Sequence, residues 1–261
     1  MNSQHVRKAA NTLWRHTRER TRLGDIPESY RPSSRVEAYA VQEEVARLSG
    51  RRVAGWKIAA TSEAGQKHIG VEGPIAARLL SEHIIAGGLA ISMAANVMNV
   101  AEAEFAFRMQ RELPARSRPY EREEVMDAVD TLHLAIEVPD SRYEDFARVG
   151  ANQLIADAAC ASWLVVSPAT VADWRPIDLA EHNVVAYRNG MIAGEGKGGN
   201  VLGDPRTALA WLANEMCHIG EGLRAGQLVT TGACVAPLSV ESGDTVLADF
   251  GVFGTVEVGF T

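Results

Sequence analysis

The chain has 261 residues, 46% hydrophobic and 23% charged, ordinary globular proportions that exclude a disordered chain, a fibrous repeat and a coiled coil. Its 26 Lys and Arg against 33 Asp and Glu leave a net charge of −7 with no basic patch, so nucleic acid and anionic lipid are not expected partners. Cys160, Cys217 and Cys234 are odd in number and far apart, which points to reduced thiols rather than a disulfide framework or zinc site. The first residues carry charge without the apolar run of a secretory signal, and no apolar stretch approaches the roughly 20 residues of a membrane span. A cytoplasmic protein is expected.

Residues 2–20 read as a basic helix with Leu13 and Trp14 as its apolar contact. Ser34 and Glu37 form an S-x-x-E capping box that starts a second helix, with Val36, Tyr39, Ala40, Val45 and Leu48 at helical spacing and Gly50 as its stop. From Val53 the texture changes to short strands. Val53–Ala60 reads as a strand, Thr61 or Ser62 caps a short helix ending at Gly70, and Asn99–Met109 reads as a longer strand. Arg122–Leu132 is expected as a helix running into a strand through Val138, and Tyr143–Val166 as mostly helix. Asn189-Gly190 marks a hairpin between Val184–Tyr187 and Met191–Ala193, because both turn residues accept positive φ. Thr207–Met216 is helical, and short antiparallel strands finish the chain. Strands gather late and do not alternate strictly with helices, so the expected class is α+β. Residues 1–52 are read as an N-terminal helical cap region and 53–261 as a β-rich catalytic core.

The sharpest chemical feature is Ala101-Glu102-Ala103-Glu104-Phe105. Side chains alternate along a strand, so Glu102 and Glu104 share one face while Ala101, Ala103, Phe105 and Phe107 share the other. Arg108 on the acidic side would suit a plain solvent face. A second apolar strand, Leu132–Val138, shifts the balance, because Glu137 can meet the first pair across a sheet. Three carboxylates without a Cys or His chelate suit a hard cation such as Mg²⁺ or Mn²⁺ with open coordination positions. Lys57, inside the apolar run Val53–Ala60, is costly to bury unless it is paired or used. His133 shares the Glu137 face and reads as a structural histidine.

Two motifs are set aside. Gly194-Glu195-Gly196-Lys197-Gly198-Gly199 has the letters G-x-G-x-x-G, but it follows a hairpin and the next helix starts only after Asp204-Pro205. A dinucleotide site needs its last glycine at a helix start inside a βαβ unit. No G-x-S-x-G elbow is present.

Gly55-Trp56-Lys57-Ile58, Thr61-Ser62, Gly70-Val71-Glu72-Gly73-Pro74, Glu102-Ala103-Glu104, Glu137 and Leu202-Gly203-Asp204-Pro205, with Leu223-Arg224-Ala225-Gly226 and Thr231-Gly232, form an ordered set. The set resembles the 2-keto-4-pentenoate hydratase and 4-oxalocrotonate decarboxylase group of the fumarylacetoacetate hydrolase superfamily, from about Glu37 to the end of the chain. The resemblance implies a mixed β-roll with a smaller N-terminal α/β region and a divalent cation, Mg²⁺ or Mn²⁺, on Glu102, Glu104 and Glu137. It also implies Lys57 as a catalytic residue that binds a small 2-oxo acid together with Thr231 and Gly232. The implied activity is hydration of a 2-hydroxy-2,4-dienoate. Decarboxylation of a 2-oxo-enedioate is the alternative, as is a non-catalytic place in a hydratase-decarboxylase assembly. A homo-oligomer, with a pathway decarboxylase or hydratase as further partner, is implied as well. Two positions depart from the group. Ile75 follows Pro74 where hydratases often carry Asp, and Asp157-Ala158-Ala159-Cys160-Ala161 stands in place of an Asp-Asn-Ala-Ser-Ser segment.

Overall fold

The computed structural model describes residues 1–261. The chain runs α1 (Ser3–Glu19), α2 (Arg35–Ser49), β1 (Val53–Ala59), α3 (Glu63–Ile69), β2 (Ile75–Leu80), β3 (Ile84–Ala86), β4 (Ala90–Ile91) and β5 (Val100–Met109). It continues with α4 (Arg122–Met126), β6 (Val129–Val138), α5 (Ala151–Ala156), β7 (Trp163–Val166), β8 (Asn183–Arg188) and β9 (Met191–Lys197). The last elements are α6 (Pro205–His218), β10 (Leu228–Ala233), β11 (Leu238–Ser239), β12 (Thr245–Asp249) and β13 (Thr255–Phe260).

These strands form two sheets. The larger has eight strands in the order β2-β1-β10-β5-β6-β7-β3, with β11 also paired to β5, and the smaller runs β4-β13-β12-β8-β9. Pairing is mixed: β1 lies parallel to β10, β3 to β7 and β4 to β13, while the other pairs are antiparallel. This is the mixed α+β architecture expected, and no helix is long and apolar enough to cross a membrane.

The two faces of the large sheet are unequal. Phe105 and Phe107 point into the main core, where Phe105 meets Phe250 and Phe253 edge-on with ring centroids 4.9 and 6.0 Å apart. The opposite face holds only a small apolar cluster, including Leu79, Ala106, Ala135 and Leu228. Ala9, Ala10 and Leu13 of α1 and Tyr39 and Val41 of α2 join the same main core as Trp56 and Phe105. The N-terminal helices are thus packed into the body rather than built around a core of their own.

Local signals place most boundaries. The Ser34 side chain accepts from the Glu37 amide, and the Glu37 carboxylate accepts from the Ser33 amide at 2.8 Å, one residue earlier than a strict capping box. Gly50, at φ 68°, ends α2. Asn189 and Gly190, at φ 53° and 78°, make the tight β8-β9 turn. Gly55 is required where β1 crosses β10, because a Cβ there would lie 1.8 Å from the Leu228 carbonyl oxygen.

Three expectations need correction. Tyr143–Val166 is not mostly helix: only Ala151–Ala156 is α-helical, a left-handed turn at Ala158–Cys160 follows, and Trp163–Val166 is strand β7. Tertiary bonds override helical preference there. The Asp157 carboxylate accepts from Ser141 Oγ and the Arg142 amide, both at 3.0 Å, and pairs with the Arg142 guanidinium. The buried face of α2 keeps Tyr39, with Val45 and Leu48 packed against the core as expected, but it is wider on one side and leaves Val36 outside. Val36 is 58% exposed, whereas Ala38, Val41 and Gln42 are buried, with Gln42 Nε2 donating to the Ala76 and Ile155 carbonyls at 3.2 and 2.7 Å. Finally, the helix expected over Arg122–Leu132 ends at Met126 and strand β6 already begins at Val129, while residues 75–91 hold strands β2, β3 and β4 without a clear alternation in the sequence.

Candidate metal centre and cavity

Strand register brings the acids together. Glu102 of β5 is directly opposite Glu137 of β6, and Glu104 lies two residues further along the Glu102 face. One ligand oxygen from each of the three lies within 4.8 Å of the others. Lys57 arrives from β1, two strands away through β10, and its Nζ stands 2.7 Å from Glu137 Oε1. Glu104 and Glu137 are fully buried and Glu102 is partly exposed.

The charges at this point do not balance. Burial, and then the nearby Glu137, push Glu102 up to about 7. Burial and both neighbouring carboxylates push Glu104 well above the usual range. Burial alone would depress Lys57, but the Glu137 and Glu102 carboxylates outweigh it and keep its ammonium charged. Glu104 Oε1 is buried without a hydrogen-bond partner, and Glu137 Oε1 has none apart from its ion pair. Unpaired buried carboxylate oxygens converging on one point are the donor set that a hard divalent cation satisfies.

Gly232 helps to aim this set. Its amide donates to Glu104 Oε2 at 3.0 Å, and its φ of +110° together with Thr61 leaves no space for a side chain, since a Cβ would lie 2.0 Å from Thr61 Oγ1. Thr231 is turned away: its hydroxyl donates to the Phe105 carbonyl at 3.0 Å and does not reach the cavity lining. Of the two residues expected to touch substrate beside Lys57, Gly232 therefore lines the cavity and Thr231 holds β5 to β10. His133 is also structural, with Nδ1 at 3.0 Å from the Ser167 carbonyl and Nε2 at 3.0 Å from Thr131 Oγ1.

Above the acids opens a cavity of about 870 Å³, reached by Lys57, Glu102 and Gly232 and walled by Ile69, Met98, Phe146 and Val235 among others. Ala159 and Cys160 of the left-handed turn also line it. Burial, first of all, and then Asp157 hold the Cys160 thiol up at about 12, so it is neutral. All three cysteines are free thiols. The glycine-rich run 194–199 ends β9 and leads through a turn to α6, whose N-cap is Asp204, so no amide cradle for a dinucleotide forms at a helix start there. Met98 and Phe146, from a bend and a turn, and His68, from the short helix α3, have no sequence signal that marks them as cavity residues, because none sits in a periodic pattern long enough to assign a face.

The sequence pattern of the fumarylacetoacetate (FAA) hydrolase C-terminal family matches residues 72–261, and the chain belongs to this family. It is a hydratase-like enzyme: it is 33% identical to the 2-keto-4-pentenoate hydratase of Burkholderia vietnamiensis over 86% of this chain and 85% of that one. It is 29% identical to a 4-oxalocrotonate decarboxylase of Pseudomonas putida over 90% of this chain and 89% of that one. Its fold superposes on 4-oxalocrotonate decarboxylase from Pseudomonas putida G7, complexed with magnesium and adipate, with a TM-score of 0.90 and 26% identity over 100% of this chain and 99% of that one.

Proposed function

We propose that this protein is a cytoplasmic, divalent-metal-dependent hydro-lyase that adds water to a 2-hydroxy-2,4-dienoate, in the manner of 2-keto-4-pentenoate hydratase. The observation that carries the reading is the convergence of three carboxylates and one lysine at the floor of an apolar cavity. Glu102, Glu104 and Glu137 would hold a divalent cation, which when bound would supply Lewis-acid stabilisation of the negative charge that develops on the 2-oxo acid.

The chain's own residues do the rest. Lys57, kept as an ammonium by Glu137 and Glu102, opens to the cavity, where it orients the substrate carboxylate and exchanges a proton. The apolar walls exclude bulk water, which strengthens each polar contact inside. In the overall reaction the enol proton leaves O2, C5 and C3 each gain a proton, and the hydroxyl of one water adds at C4. Gly232 keeps Glu104 in place through its amide. The proposal includes self-association of identical subunits, supported by the exposed edge strand β9, where Met191 and Ile192 are 71% and 61% exposed.

A second reading, decarboxylation of a 2-oxo-enedioate, is favoured by the likeness to the magnesium-bound decarboxylase. One experiment separates the two: 2-hydroxypenta-2,4-dienoate and 4-oxalocrotonate are each incubated with the protein and Mg²⁺, Mn²⁺ or EDTA. Loss of dienoate absorbance that EDTA abolishes is the expected result. Carbon dioxide release from 4-oxalocrotonate without turnover of the dienoate would replace hydration by decarboxylation. Metal-independent turnover of both would overturn the site.

A further inference from the structure

The strands around the metal centre change from charged to apolar as they run outward. Residues two apart on a strand share a face and lie about 7 Å apart. On β5 the residue outward from Glu102 on its face is Val100, and at the end of β6 the residue outward from Glu137 is Pro139. On β1, antiparallel to β5 through β10, the residue outward from Lys57 is Ala59. All three line the cavity. By register Ala59 stands about level with Glu104, whereas Val100 and Pro139 lie beyond the acids, so the charged floor is flanked by an apolar residue on β1 and followed by an apolar collar on β5 and β6. Beyond the collar the walls stay apolar, with Met98, Ile69, Phe146 and Val235.

No second fixed cation stands among the lining residues. Lys57 is the only Lys or Arg there, and it is already 2.7 Å from Glu137. His68, the one other side chain able to carry positive charge, is exposed and meets Phe146 edge-on with ring centroids 6.0 Å apart. The remaining polar groups, Thr61, Ser62 and Asn200, are neutral. An ionised group taken from water into such surroundings without a partner is strongly disfavoured. The volume, about 870 Å³, lies in the range that buries a drug-sized ligand, well beyond a five-carbon acid.

We infer that the substrate of this site is a monocarboxylic 2-oxo or 2-hydroxydienoic acid with an apolar alkyl or aryl substituent at the end remote from its carboxylate, and that dicarboxylates are disfavoured. The inference rests on the function proposed above and names its substrate class. The carboxylate end sits at the charged floor, the conjugated carbons pass Ala59 and cross the collar of Val100 and Pro139, and the substituent fills the space between Met98, Phe146 and Val235.

Binding of unreactive saturated 2-oxo acids tests this without depending on turnover. Titration calorimetry of the Mg²⁺-loaded protein compares 2-oxopentanoate, 2-oxohexanoate, 2-oxooctanoate and 2-oxohexanedioate, in wild type and in Phe146→Ala. Affinity is expected to rise about 4-fold per added methylene, the value of one buried CH₂. The dicarboxylate is expected to bind at least about 10-fold more weakly than 2-oxooctanoate, and Phe146→Ala to flatten the rise with chain length. Affinity independent of chain length, or tighter binding of 2-oxohexanedioate than of 2-oxooctanoate, overturns the inference and leaves the functional reading standing. If Mg²⁺ binds but none of the four acids does, the functional reading itself fails.

Discussion

Strand β5 presents two faces that obey opposite rules. On one, Phe105 and Phe107 are fully buried among other apolar side chains and their packing stabilises the fold. On the other, Glu102 and Glu104 are held beside Glu137, where their mutual repulsion and desolvation oppose folding unless a cation binds. Adjacent residues on the same strand therefore serve stability and function separately. The strand can carry the strain because its apolar face is strongly anchored.

Substitutions on the two faces should differ in sign. The largest effect is expected from Phe105→Ala, which leaves a cavity beside Phe250 and Phe253 and costs about 3–5 kcal/mol by urea unfolding. A loss below about 1 kcal/mol would mean that the aromatic cluster does not anchor the two sheets. Next, Glu104→Gln removes a carboxyl whose ionisation is disfavoured by burial and by its two acidic neighbours, so the metal-free protein becomes more stable while its Mg²⁺ affinity drops about 100-fold. In wild type, Mg²⁺ at 100 times its dissociation constant adds about 2.7 kcal/mol that EDTA reverses, and the variant lacks this gain at the same concentration. Equal Mg²⁺-induced shifts in melting temperature for both proteins would dissolve the contrast between the faces.

A smaller effect tests what aims the acids. Gly232→Ala forces a side chain against Thr61 at a positive φ and costs about 1–3 kcal/mol, together with weaker Mg²⁺ binding because the amide donating to Glu104 shifts. Unchanged metal affinity in a destabilised variant would show that this amide does not orient Glu104.

The smallest effect lies far from the centre and serves as the control. Burial raises the Asp244 carboxyl, but hydrogen bonds from Asn189 and the Glu241 amide, with Arg188 nearby, outweigh it and hold it below the usual aspartate range. A depressed folded pKa adds stability above the ordinary value of 3.8 that is lost as pH falls through the folded one. Wild type should therefore exceed Asp244→Asn in stability at pH 6 and converge on it towards pH 3. A gap that widens on acidification would reverse the sign.

Local chemistry made several features legible before any contact was known. Strand parity alone put Glu102 and Glu104 on one face, Ser34 and Glu37 marked the start of α2, and Asn189-Gly190 marked the hairpin, because each signal lies within a few residues. The segment after Tyr143 misled for the same reason. Its Ala, Ile and Leu residues favour helix locally, but the bonds of Asp157 to Ser141 and Arg142 and the place of β7 beside β6 decide otherwise.

By itself, then, the sequence determined which residues had chemistry to offer: three acids and a lysine set in apolar strands, with no cysteine or nucleotide motif of use. Tertiary structure alone decided their meeting. Glu137 faces Glu102 only through the β5-β6 register, and Lys57 reaches Glu137 only because β10 separates β1 from β5. The apolar collar and the loops that close the cavity depend on the same long-range pairing. Side-chain direction repeats every two residues along a strand and is set locally, whereas strand order is set by burial of the whole sheet, which no short window of sequence contains.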